Sequence, residues 1–258
     1  MASKWTKFPY AEKAYVHDAA GLRKAWARLH KGDCEPFPKD AAVVEAWRLF
    51  HAGEFQRAVE AGQAAGGSGI NAAVKAQVVH ASYVEKSDKG KIELLEEAFA
   101  IAEERLREAP KDPNAHYFYA FALGRYSQRT SVMKALTQGY GGKIKEALLA
   151  AQKLQPKHAD AHTAYGSYQA EVIEKVGGLV AGMTYGAKKD SAIEQFEKAV
   201  KLFPDSAIAK IEYANGLLLL FGKGKVAEAT KLYEAAAAAK PQDAMERLDV
   251  ELAKSELE

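Results

Sequence analysis

The chain has 258 residues, 48% of them hydrophobic, with 8 prolines and one cysteine. No apolar run reaches the ~18 residues a spanning helix needs, and 36 basic against 34 acidic residues leave a net charge of +2, which gives no footprint for nucleic acid. The lone Cys34 excludes an internal disulfide; its acidic neighbours predict a raised thiol pKa and argue against a nucleophile.

Met1-Ala2-Ser3 and the final Leu257-Glu258 read as vector-derived ends. A start at Lys4 or Trp5, with no helix signal, then looks like a mature N-terminus and predicts an exported, periplasmic bacterial protein. Residues 4–39 bracket one helical stretch between Phe8-Pro9-Tyr10 and Pro36-Phe37-Pro38. In it Leu22, Ala25, Trp26 and Leu29 share one face and Asp18 is a candidate N-cap. The segment is expected to cap the open end of the helices after it.

Residues 40–242 read as helix pairs. The first, 40–66, turns at Gly53 and ends at the breaker Gly66-Gly67-Ser68-Gly69. The second, 70–110, closes with a charged helix from Ile92 to Glu108. From there a pattern sharpens. Pro110, Pro156 and Pro204 are each followed ten residues later by Ala120, Gly166 and Ala214, with Tyr119, Tyr165 and Tyr213 just before. Two segments run Ala192, Phe196, Ala199, Pro204 and Ala229, Tyr233, Ala236, Pro241. Small residues let helices approach, the aromatic fills the gap, and proline stops the helix. This resembles the tetratricopeptide (TPR) repeat family. The resemblance implies an all-α superhelix of about five helix pairs, with residues 243–258 as a polar capping helix.

Two units exceed the usual repeat length: Pro110 to Pro156 is 46 residues and Pro156 to Pro204 is 48. The surplus falls between their helices, at 132–142 and 176–187, and both stretches carry Thr followed by Tyr-Gly or a Tyr-Gly close by. Gly178, Gly182 and Gly186 are four apart, which on a helix clears one face for a helix contact or a cavity. The Gly124-Arg125-Tyr126 run and the Val176-to-Gly186 segment are similar to the regulator of microtubule dynamics family over at most residues 113–204. That resemblance suggests a lipophilic ligand.

The TPR resemblance also places a concave groove. Its positions fall on Asn114, Tyr117, Phe121, Gly124 and Arg125 in one unit, on Asp160, Thr163, Ser167, Ala170 and Glu171 in the next, and on Ile208, Ile211, Asn215, Leu218 and Leu219 in the last. Tyr117, Phe121 and Arg125 are the expected hot spot. His158, Asp160 and His162 give an H-x-D-x-H pattern, yet His162 repeats the place of His116, which predicts a structural slot and no metal. Gly139-Tyr140-Gly141-Gly142-Lys143 lacks the spacing and the hydroxyl of a phosphate loop. The expectation is a non-enzymatic scaffold, without cofactor, that binds a peptide or protein partner in its groove; the alternative is a carrier or sensor of a small hydrophobic, lipid-like ligand at the inserts.

Overall fold

The structure, a computed structural model, describes residues 5–258, without the side chains of Val132, Met133 and Leu136. The reading of Met1-Ala2-Ser3 as vector-derived therefore lies outside the described residues. Those that are described form helices and turns, with no strand among them. The order is α1 (Ala19–Leu29), α2 (Ala41–His51), α3 (Phe55–Ala65), α4 (Gly69–Val79), α5 (Asp88–Glu108), α6 (Pro113–Gln128), α7 (Val132–Thr137), α8 (Tyr140–Leu154) and α9 (Ala159–Val176). There follow α10 (Gly178–Val180), α11 (Lys189–Leu202), α12 (Ala207–Phe221), α13 (Val226–Ala237) and α14 (Ala244–Ser255). Helix pairs are formed by α2 with α3, α4 with α5, α9 with α11 and α12 with α13, and Tyr126 of α6 meets Tyr140 at the start of α8, with ring centroids 6.0 Å apart. The predicted all-α repeat fold is the observed one.

Local signals explain the boundaries. Asp18 accepts from the Gly21 amide at 2.6 Å and starts α1 where the sequence expected it. Asp40, Ser87 and Ser206 cap α2, α5 and α12 in the same way, each such cap being worth about 1 kcal/mol. In the last three repeats the capping residue stands two after the proline: Asp112, His158 and Ser206. The residue six after the proline then donates to the proline carbonyl. His116 Nε2 does so at 2.9 Å, His162 Nε2 at 3.1 Å and Lys210 Nζ at 2.5 Å. A carbonyl just past a helix end has no helical donor, so each repeat supplies one from its next helix.

The chain divides into two compact units. One comprises residues up to His30, Glu35–Ala147 and Gln242–Met245; the other comprises Lys31–Cys34, Leu148–Pro241 and Glu246–Glu258. The boundary falls inside α8. In the first unit α4 is buried on every side, its Asn71, Lys75 and Gln77 included. Gly62 and Gly69 bring α3 and α4 together: a Cβ on Gly62 would stand 2.5 Å from the Gly69 carbonyl oxygen. The core is Trp47, Phe50, Phe118, Leu22, Leu95 and Leu123.

In the second unit the repeat pattern becomes packing. Phe196 of α11 is fully buried, lying against Gly166 of α9 and Gly216 of α12 and stacked on Tyr213 at 5.3 Å. Burial of such a side chain contributes about 2–3 kcal/mol. Tyr233 of α13 sits in an apolar cluster with Ile211, Ala214, Ala229 and Ala236, and Val250 and Ala253 of α14 join it.

Candidate functional site

Helix α6 starts at Pro113, whose fixed φ and missing N–H suit the first helical position. Asn114, Tyr117, Phe121 and Arg125 then fall along one stripe of its surface. Tyr117 and Phe121 stack with ring centroids 5.9 Å apart and planes 5° apart. The Arg125 guanidinium lies 5.8 Å from the Phe121 ring and donates to Gln128 Oε1 at 3.2 Å. Phe121 and Arg125 are half-buried, while Tyr117 is buried and supports them from below. Arg129, four residues on, faces Asp88 at 3.8 Å.

The first residue of the stripe is covered. Asn114 has no exposed surface, and its Nδ2 donates to Glu35 Oε2 at 2.6 Å. Asn71 of α4 donates to the same oxygen at 3.2 Å and to Asp112 Oδ2 at 3.3 Å. Arg105 donates to Asp112 Oδ2 at 3.0 Å. Lys75, one turn beyond Asn71, is buried with its Nζ 5.4 Å from the Phe50 ring, 5.8 Å from Trp47 and 5.9 Å from Phe118. The segment before the repeats thus lays a carboxylate on this face, and Asn114 presents no free groove surface.

Behind α2 a second polar chain is sealed in. His51 Nδ1 meets Asp243 Oδ2 at 2.6 Å and His51 Nε2 meets His30 Nε2 at 3.1 Å, with all three residues buried. If His51 donates Nδ1–H to the carboxylate, its Nε2 accepts from His30. Trp26 stacks on His30 at 3.9 Å and donates Nε1–H to the Glu35 carbonyl at 2.7 Å. His80 is packed against Trp5 at 4.3 Å, and burial pushes its pKa down to about 4.

The second unit places the other expected groove positions. The Asp160 amide donates to the Gly32 carbonyl at 3.1 Å, so residues of the preceding segment rest on the start of α9. Thr163 is buried and its hydroxyl bonds the Ala159 carbonyl within the helix. Ser167 donates to Glu212 Oε2 at 2.9 Å, and Glu171 faces Lys175 at 3.6 Å. Asn215 accepts from the Tyr233 hydroxyl. Leu218 packs against the apolar cluster that buries Ile211, and α14 contributes to that cluster. Tyr117, Thr163 and Ile211, like Asn114, are therefore structural positions.

The chemistry-bearing residues have structural uses as well. His158 is fully buried and its Nδ1 accepts from the Ala161 amide. His162 bridges Gln195 Oε1 at 2.7 Å and the Pro156 carbonyl. Among the described residues no group of three His, Cys, Asp or Glu side chains is arranged to hold a metal. Cys34 has φ +53 and donates to the Lys157 carbonyl. Its thiol is pushed up to about 11, chiefly by burial, with Asp33 and Asp160 adding to it; the sequence had credited the acidic neighbours alone.

The insert glycines differ from expectation. Gly178 has nothing within 4 Å of where a Cβ would stand, and the nearest atom to one on Gly182 is the Ala187 carbonyl oxygen at 3.8 Å. Neither is a helix contact. Gly186 takes φ +66 and closes the turn at Ala181–Tyr185. The close glycine approach is between α3 and α4 instead.

The sequence profile described as regulator of microtubule dynamics protein 1-3 matches residues 71–257. The chain belongs to that family. The match extends beyond 113–204 on both sides; on the N-terminal side the sequence reading stopped short because the α4–α5 pair carries few of the aromatic and alanine marks that made later repeats legible. None of the curated proteins matches the chain. Among solved structures it is similar to TTC0263, a thermophilic TPR protein in Thermus thermophilus, with 15% identity and a TM-score of 0.57 over 83% of this chain and 97% of that one. A weaker likeness, TM-score 0.42 at 16% identity, is to YrrB, described as a TPR protein with an unusual peptide-binding site; it covers 92% of this chain and all of that one. At these identities the likeness extends to the fold alone. This family member has a helical-repeat fold. Sequence reasoning missed Asn71, Lys75 and Glu35; the signal was the set of polar residues inside α4, a helix otherwise wholly apolar.

Proposed function

We propose that this regulator of microtubule dynamics family member is a non-enzymatic scaffold that binds an extended peptide segment of a protein partner along the α6 stripe. The observation that carries the reading is the stack of Tyr117, Phe121 and Arg125, whose outer two members are half-open beside a face that already holds a carboxylate. A rigid aromatic beneath a guanidinium is the composition of a binding hot spot. Asn71 and Asn114 hold Glu35 by charge-assisted bonds, and Arg125 offers the same chemistry further along. The partner segment is expected to bring an acidic side chain to Arg125 and an apolar one to Phe121.

A random-peptide display library panned on the immobilised protein tests this. The parent enriches a family of acidic–apolar sequences, and the Phe121→Ala, Arg125→Ala double variant does not. No enrichment on the parent, or the same sequences enriched on the variant, counts against the face. Tyr117 is left in place because it is buried.

A further inference from the structure

The second unit exposes large apolar side chains at the turns between α9 and α11 and between α12 and α13. Leu179 is 78% exposed and Met183 is 82% exposed, one helical turn apart, with Val180 between them also exposed. At the other turn Leu219, Phe221 and Val226 are exposed. Lys189 ties the two turns together: its Nζ donates to the Leu220 carbonyl at 2.5 Å and lies 5.0 Å from the Phe221 ring. Large aliphatic side chains this open, grouped rather than scattered, mark an interaction surface.

The charge pattern selects the occupant. Residues 176–189 and 213–227 contain Lys188, Lys189, Lys223 and Lys225 and no carboxylate. Asp190 and Glu228 follow immediately, and Glu228 is paired with Lys225 at 2.5 Å. We infer that this edge docks on an anionic lipid bilayer, with Leu179, Val180 and Met183 entering the headgroup–acyl boundary and Lys188 and Lys223 facing the phosphates. Protruding side chains need no preformed pocket in a fluid apolar phase, and their stems and cationic heads match its two layers. A second copy of the chain would set cationic edge against cationic edge, which disfavours self-association there. Among the described residues no helix is long and apolar enough to cross a membrane, so the contact is interfacial.

Flotation of the full chain with vesicles of phosphatidylcholine alone, and of phosphatidylcholine with phosphatidylserine, tests the inference. The parent floats with the phosphatidylserine vesicles and much less with the neutral ones. Leu179→Asp with Met183→Asp lowers the bound fraction about tenfold or more, and Lys188→Glu with Lys223→Glu lowers it by a similar factor. Both variants keep the parent's melting temperature, since the altered side chains are exposed. Parent protein that stays with neither vesicle, or binding that survives both variants, overturns the inference. A concentration-dependent dimer lost in Leu179→Asp, Met183→Asp, without vesicle binding, also overturns it and assigns the edge to a second copy.

Discussion

Replacing Gly216 by alanine perturbs the contact on which the repeat reading depends. A Cβ there would stand 2.4 Å from Phe196 Cε2 and 2.7 Å from its Cζ, against an ordinary carbon–carbon separation of about 3.5–4.0 Å. The ring has nowhere to retreat. Its other edge meets Gly166, where a Cβ would fall 2.8 Å away, and Tyr213 stacks on its face. Overpacking costs about 1–3 kcal/mol, and the gain in helix propensity from Gly to Ala offsets up to about 1 kcal/mol. The net loss of about 1–2 kcal/mol lowers the melting temperature by about 2–8 °C. Gly124→Ala makes the same chemical change in α6 with nothing within 4 Å of the new methyl group, so it stabilises by up to about 1 kcal/mol. Combining Gly216→Ala with Phe196→Leu should recover part of the loss, a coupling of about 1 kcal/mol. Urea unfolding of these three variants and of Phe196→Leu alone is the assay. Gly216→Ala as stable as Gly124→Ala would refute the packing argument.

Acidification should weaken the fold through His80: between its ordinary pKa and about 4 the unfolded chain takes up a proton that the buried ring does not, so stability falls by about 2 kcal/mol from pH 7 to pH 5. Urea midpoints at the two pH values read this, and a His80→Phe variant with the same slope would remove His80 as its cause. Glu35→Ala leaves the Asn71 and Asn114 amides buried without their shared acceptor and should cost about 2–4 kcal/mol by urea titration; a loss below the error of the method would make the contact incidental. Cys34, with its thiol near 11, should react with iodoacetamide at pH 8 roughly a hundredfold more slowly in the native protein than in urea, and equal rates would show the thiol to be open.

The repeat frame was legible because its marks are local. A proline, a tyrosine nine on and a small residue ten on all lie within one turn and helix start, whereas the cap two on and the carbonyl donor six on are seen in the structure. The Ala–aromatic–Ala segments likewise predicted Phe196 and Tyr233 as core residues. What the sequence concealed depends on distant pairing. Glu35 reaches Asn114 across 79 residues, and His51 reaches Asp243 across 192, so no spacing announces either. Of the expected groove positions, Asn114, Tyr117, Thr163 and Ile211 are buried, a property set by neighbouring elements that the spacing along one helix does not carry. The insert glycines misled for another reason. Gly177 takes φ +78 and breaks the helix, and the following turn at Ala181–Tyr185 is wound more loosely than an α-helix. A spacing of four therefore lines up no face.

The most direct test of the binding face is a calorimetric titration with the strongest peptide selected by the parent protein. The account predicts binding to the parent and roughly hundredfold weaker binding to Phe121→Ala, Arg125→Ala, with unchanged melting. Equal affinity for the two proteins would contradict it.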